Sequence, residues 1–113
     1  MKDYKHLFCK YPITKNLTGW QFCPILESDI WVPNSPGVYA MAKKKKVIVY
    51  AGKSMNLSNR FNKGHHKILA ALREGAVYLH YLPMEVDEDE LAVYEVELIN
   101  RLQPLINTYH TAA

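Results

Sequence analysis

Glu95 is the residue whose placement packing alone explains least well. Residues 87–103 carry the pattern of an amphipathic helix, with Leu91, Leu98 and Leu102 in a narrow stripe at 100° per residue and Tyr94 and Ile99 flanking it. Glu95 lies inside that stripe, whereas Glu97 points the other way. A carboxylate on a buried helix face is costly unless something pairs with it. It is therefore either half of a buried salt bridge, with Arg60 as partner, or a metal ligand or catalytic acid or base. His65 raises the same question on a second helix, where it shares a face with Ile68, Leu69 and Leu72 while His66 is rotated away. A lone histidine on an apolar face is more often a core residue than a catalyst. Gly52-Lys53-Ser54 follows a strand and opens a helix, but a phosphate-wrapping P-loop needs glycine at position 47, where this chain has Val47. What survives is a modest anion site, with Lys53 at a helix N-terminus. His6, Cys9 and Cys23 match no metal-ligand spacing, and no nucleophile motif is present.

Charge is divided unevenly along the chain. Residues 1–36 carry four basic and three acidic groups. Residues 37–73 carry nine basic groups and no carboxylate, and residues 74–113 carry Arg101 against eight acidic groups. This segregation points to a polyanionic partner, nucleic acid first, met by one side of the molecule. Lys43 to Lys46 read more simply as a soluble hairpin tip that blunts a sheet edge.

The elements that position these residues follow from punctuation and periodicity. With 113 residues, 49% of them apolar, the chain has the makings of one small core. The opening MKDYKHLFCK lacks the apolar stretch of a leader, the longest apolar run is Val47 to Ala51, and two cysteines form no redox pattern. The expectation is a cytoplasmic protein without a membrane segment. Trp20, Phe22 and Trp31 are expected to pack in residues 1–31, with a short strand near 19–23. The loop Val32 to Gly37 marks where the compact part begins. Gly37–Met41 and Lys46–Ala51 read as a hairpin around the lysines. Ser54 is expected to cap a helix to about Lys63, a second helix to end at Gly75, and Ala76–Leu82 to form a third strand. Asp87 with Glu90 is a capping box, and Pro104 stops the last helix near Gln103.

Taken in order, Gly37-Val38-Tyr39, Tyr50-Ala51-Gly52-Lys53-Ser54, Leu57-x-x-Arg60, His65-His66, Glu95-x-x-Leu98-Ile99 and Gln103-Pro104-Leu105-Ile106-Asn107 resemble the GIY-YIG nuclease family. The resemblance covers roughly residues 36–107. The first motif reads GVY and the second YAG, each keeping its tyrosine. Many relatives place a histidine or tyrosine four residues after the arginine, where this chain has Gly64 and then His65. His65 is preferred to His66 for its shared face with the apolar stripe.

The resemblance implies an α+β fold, a small three-stranded antiparallel sheet flanked by helices, spanning residues 36–113 with a packed N-terminal extension over 1–35. It implies a divalent-metal-dependent endonuclease that hydrolyses phosphodiester bonds in DNA, one strand per active site. Glu95 would hold Mg²⁺ or Mn²⁺, and Arg60 would grip the scissile phosphate. Tyr39 would act as general base or proton relay, Tyr50 would hydrogen-bond the water or phosphate, and His65 would assist. Lys53, Lys63 and Lys67 would contact the substrate, and Asn107 would be mainly structural. A phenol titrating near 10 is a poor base at neutral pH, so Lys53 or Arg60 is expected to lower Tyr39. The two tyrosines can cooperate only if the hairpin register puts them on one sheet face. Two other readings stay open, a non-cleaving binding module on the same fold and a subunit that acts only when a partner protein or a second copy delivers the DNA. Binding is expected to be salt-sensitive and weakly selective.

Overall fold

The computed structural model describes residues 5–14, 16–25, 32–44, 47–62 and 66–106. Trp31, Lys63, His65 and Asn107 lie outside the described residues, as do the side chains of His66 and Lys67. Eight elements run in the order α1 (Lys5–Lys10), β1 (Gln21–Pro24), β2 (Gly37–Ala42), β3 (Ile48–Ser54), α2 (Leu57–Asn62), α3 (His66–Arg73), β4 (Tyr78–Pro83) and α4 (Glu88–Leu102).

The α+β class matches expectation, but the sheet has four strands rather than three, in the order β1-β4-β2-β3 with every neighbouring pair antiparallel. The added strand is the short one expected near 19–23, and it pairs with β4 in the register Phe22↔His80. The extension therefore contributes to the sheet itself. β2 is buried along its whole length because strands and helices enclose it on every side.

Alternation along the strands separates two cores. Val38, Ala40 and Ala42 face one layer with Leu91, Tyr94 and Leu98 of α4, together with Leu7, Leu17 and Trp20 of the extension. Tyr39, Met41, Leu79 and Tyr81 face the other layer with Leu57 and Phe61 of α2 and Ala71 of α3. A bulge in β3 lets both layers be filled. Met41 pairs with Tyr50 and Ala42 with Ile48, so Val49 is supernumerary, and Val49 and Tyr50 both join the α2–α3 layer while Ile48 joins the α4 layer.

Helix ends are set by local chemistry. Asp87 caps α4 by accepting from the Glu90 amide at 2.8 Å, and Gln103, at φ 49°, ends it one residue before Pro104. Gly75, at φ 94°, closes α3 as its amide donates to Leu72 and the Ala76 amide to Ala71. The cap of α2 is Asn56, not Ser54. Asn56 Oδ1 accepts from the Asn59 amide, while the Ser54 hydroxyl accepts from the Asn56 amide and donates to the Asn56 carbonyl.

Tyr94 ties the extension to α4. Its hydroxyl donates to the Tyr11 carbonyl, its ring stacks on Phe8 at 5.8 Å, and Tyr11 meets it edge-on at 6.5 Å. The Tyr11 hydroxyl accepts in turn from the Glu85 amide at 3.0 Å. Tyr94→Phe is expected to lose about 1 kcal/mol in urea unfolding, and Tyr94→Ala about 3–5 kcal/mol from the emptied ring site. Equal losses for the two variants would contradict this assignment.

Candidate active site

The β2–β3 register sets Tyr39 opposite Gly52 and Met41 opposite Tyr50. Tyr39 and Tyr50 therefore project from one sheet face, the condition the sequence reading set for their cooperation. Their ring centroids lie 6.1 Å apart, and the two phenols share a hydrogen bond. Tyr39 reaches across the backbone of β3. A β-carbon added at position 52 would stand 2.6 Å from the Tyr39 hydroxyl oxygen, 2.8 Å from its Cζ and 3.2 Å from Cε2 of Tyr50. Phe61 of α2 closes the other side of the ring, edge-to-face at 4.9 Å. Tyr39 is 1% exposed and Tyr50 is half-buried.

Arg60 stands exposed on α2, one residue before Phe61. α4 runs chiefly along β3 and less along β2, so Glu95, half-buried, approaches the site past the strand that Tyr39 crosses. The charges of both Arg60 and Glu95 act on the Tyr39 phenol. Tyr39 and Tyr50 thus meet over the backbone of Gly52, and the charges of Arg60 on α2 and Glu95 on α4 reach the Tyr39 phenol.

This convergence gives structure to what the motifs suggested separately. The family model for the UvrC-like GIY-YIG domain matches residues 35–108. The chain belongs to this GIY-YIG family. It is 35% identical over 91 residues to UvrABC system protein C of Christiangramia forsetii, an alignment covering 74% of this chain and 15% of that protein. It is 30% identical over 81 residues to UvrABC system protein C of Rhizobium meliloti, covering 67% of this chain and 12% of the other. The chain thus spans a small part of the length of these curated relatives. It also resembles the crystal structure of the GIY-YIG N-terminal endonuclease domain of UvrC from Thermotoga maritima bound to its catalytic magnesium, with a TM-score of 0.55 and 32% identity over 67% of this chain and 86% of that one. A tyrosine-to-phenylalanine mutant of that domain, also bound to the catalytic cation, matches with a TM-score of 0.56 and 30% identity, at the same coverage of both chains.

Within this GIY-YIG site, two expectations are corrected. The first concerns Tyr39, whose pKa is raised well above the ordinary phenol value rather than lowered. Burial is the largest cause, followed by the neighbouring Tyr50; Arg60 does lower it, but the hydrogen bond with Tyr50 and the charge of Glu95 raise it further. Lys53 cannot play the expected part, because it pairs with Val38 and so emerges on the opposite sheet face from Tyr39. The second concerns the anion site at Lys53. Lys53 belongs to β3, and the first amides of α2 are already bonded: Leu57 to the Ser35 carbonyl, Ser58 to the Pro33 carbonyl and Asn59 to Asn56 Oδ1. Arg60 is exposed and Glu95 half-buried, so neither is as deeply buried as the salt-bridge reading of Glu95 supposed.

The residue types fit a hard dication. Among the described residues no three His, Cys, Asp or Glu side chains converge as a zinc-type set would require. A single carboxylate, with water and phosphate oxygens completing the shell, is the ligand set magnesium favours. Phe61 went unnoticed in the sequence, and its only signal there was an apolar residue directly after the motif arginine. No helix among the described residues is long and apolar enough to cross a membrane.

Gly52→Ala is expected to lose about 1–3 kcal/mol of stability through the clash with Tyr39, and the loss should shrink in a Tyr39→Val background. Equal losses in both backgrounds would contradict the steric account. A pH effect follows from the tyrosines. Tyr39 and Tyr94 are both raised, each chiefly by burial, so the folded chain keeps phenolic protons that the unfolded chain releases. Stability is therefore fully retained below about pH 10 and falls above it, by up to about 1.4 kcal/mol per pH unit for each tyrosine. Tyr39→Phe and Tyr94→Phe should each flatten the alkaline slope of the urea midpoint.

Proposed function

We propose that this chain is a divalent-metal-dependent endonuclease domain that hydrolyses a phosphodiester bond in DNA, one strand per active site. The observation that carries the reading is the meeting of Tyr39 and Tyr50 over Gly52, with the charges of Arg60 and Glu95 acting on the Tyr39 phenol. Its UvrC relative is an endonuclease domain with a catalytic magnesium, and the residue types here suit the same chemistry.

Magnesium or manganese held by Glu95 would supply Lewis-acid stabilisation of the charge on phosphorus and on the leaving oxygen. The exposed Arg60 guanidinium can grip two phosphate oxygens with its planar fork. Tyr39 enters the reaction as a neutral phenol, because burial and Tyr50 hold its proton. A neutral phenol still moves a proton if it accepts one on oxygen while donating its own. The hydrogen bond between Tyr39 and Tyr50 provides that path: the attacking water gives a proton to the Tyr39 oxygen, Tyr39 passes its own to Tyr50, and half-buried Tyr50 releases one to solvent. The relay assigned to Tyr39 from the sequence is thereby favoured over free phenolate chemistry. His65 assists, Lys63 and Lys67 contact the backbone of the DNA, Lys53 contacts it from the far sheet face, and Asn107 is structural.

Residues 36–113 form the nuclease domain in this reading, and 1–35 the extension. Targeting by a partner protein or by a second copy is the companion reading, favoured because the relatives are named as components of the UvrABC system. A cytoplasmic setting agrees with Cys9 and Cys23 not being joined by a disulfide.

Wild-type protein with Mg²⁺ or Mn²⁺ should convert supercoiled plasmid to the nicked form. Glu95→Gln, which keeps the shape and removes the charge, should slow nicking by about 100-fold or more, and Tyr39→Phe by about 100- to 10,000-fold. Unaltered nicking by Glu95→Gln would refute the metal assignment. Salt-dependent binding without nicking would replace this reading by the non-cleaving module.

A further inference from the structure

The sheet face that carries α4 is only partly covered by it. Phe22 of β1 pairs with His80 of β4, which pairs in turn with Ala40 of β2, so these residues share the face of Val38 and Ala42. α4 packs over the β2–β3 end of that face. At the β1–β4 end the surface sinks into a hollow of about 520 Å³, lined among others by Leu17, Trp20, Phe22, Tyr78 and His80. Phe22 was expected in the core, yet it is 63% exposed. Its ring is held by its neighbours, tilted over His80 at 5.5 Å and edge-on to Tyr78 at 6.0 Å. Trp20 is the opposite case. It is 8% exposed, and its indole Nε1–H has no hydrogen-bond acceptor among the described residues. A buried indole N–H normally finds an acceptor, and leaving it without one is costly.

We propose that this hollow is a binding site for an unpaired nucleobase, distinct from the active site on the opposite face. The inference rests on the proposal that the chain acts on DNA. An exposed aromatic ring braced by two others on a β-sheet is a stacking platform for a base. The Trp20 N–H, buried in a wall residue of the hollow without an acceptor, would gain one from a base carbonyl or ring nitrogen as a base seats there. The volume falls in the range of small-ligand sites, about 300–1,000 Å³. The charges agree as well: among the described residues, no Asp or Glu lines the hollow. Trp20 and Phe22 precede the family match, which begins at residue 35, so the platform belongs to the extension of this chain. Since Tyr39 lies on the other face, the bound base belongs to a nucleotide remote from the cut phosphate, in a displaced or frayed strand.

The test compares two single-stranded oligonucleotides of equal length, oligothymidine and its abasic counterpart, by fluorescence anisotropy on the full chain in EDTA. Wild type should prefer the thymidine strand. Phe22→Ala should weaken that strand by about 5- to 100-fold and leave the abasic strand unchanged, with Phe22→Trp restoring the preference. Trp20→Phe, which keeps a ring and deletes the N–H, should weaken it less. Thermal melts check that each variant folds, which exposed Phe22 makes straightforward. A base preference lost with Phe22 supports the site even if wild type fails to nick, in which case only the nuclease reading falls. Wild-type nicking with equal affinity for both strands, or a preference indifferent to Phe22, overturns the site and leaves the hollow to an apolar side chain of a partner protein.

Discussion

The phenol of Tyr39 can lie where it does only because residue 52 has no side chain. The contact at 2.6 Å from a would-be β-carbon is closer than any other residue could tolerate, and much of the architecture serves to keep it. The antiparallel register must bring Tyr39 opposite Gly52. A slip of one residue would turn Tyr39 toward α4 and away from Tyr50. The bulge at Val49 absorbs the mismatch below that point, letting Ile48 and Val49 fill different layers while the pairing above them stays regular. Phe61 then fixes the ring from the other side, which places Arg60 at the rim. One missing side chain and one extra residue in β3 together decide where the chemistry sits.

Electrostatically, the site opposes its own ionisation. Burial, Tyr50 and Glu95 keep Tyr39 protonated, and Arg60 alone pulls the other way. A buried phenolate would be expensive in such surroundings. A pair of hydrogen-bonded hydroxyls can instead move a proton without either bearing full charge. The same burial that makes Tyr39 a poor free base makes it a rigid relay, and rigidity is what positioning chemistry needs. Glu95 is less buried than its helix stripe suggested, which leaves the carboxylate reachable.

What was legible in the sequence was whatever local chemistry decides. The capping box at Asp87, the stop at Pro104, the turn at Gly75 and the oddity of Glu95 were readable because each depends on residues within one or two turns. Class and sheet polarity followed from the order of elements. The errors arose where distant parts meet. The short strand expected near 19–23 gave no local sign that it would pair with β4 and make a fourth strand of the sheet. Ser54 and Asn56 are both good caps, and the choice fell to Asn56 because β3 extends through Ser54. The face on which Lys53 emerges depends on the register, and the sign of the Tyr39 shift depends on burial from four elements. Phe22 looked like core by type, but no helix covers that end of the sheet.

The sheet is better understood as a partition than as a platform with one working side. Its α2–α3 face holds the tyrosines, while its α4 face holds the packing that anchors Glu95. The extension completes that second face rather than decorating it: Leu7, Leu17 and Trp20 share the core with Leu91, Tyr94 and Leu98, and Tyr94 bonds back to Tyr11. Removing the extension would therefore loosen the helix that carries Glu95 as well as strip β1 from β4. Leu7, Leu17 and Trp20 of the extension lie on the opposite face from the tyrosines of the site, yet α4 links the two mechanically. Any force that shifts Tyr94 against Tyr11 acts on a helix whose next residue is Glu95. The position of the candidate metal ligand is thus held by residues before the family domain as well as by those within it.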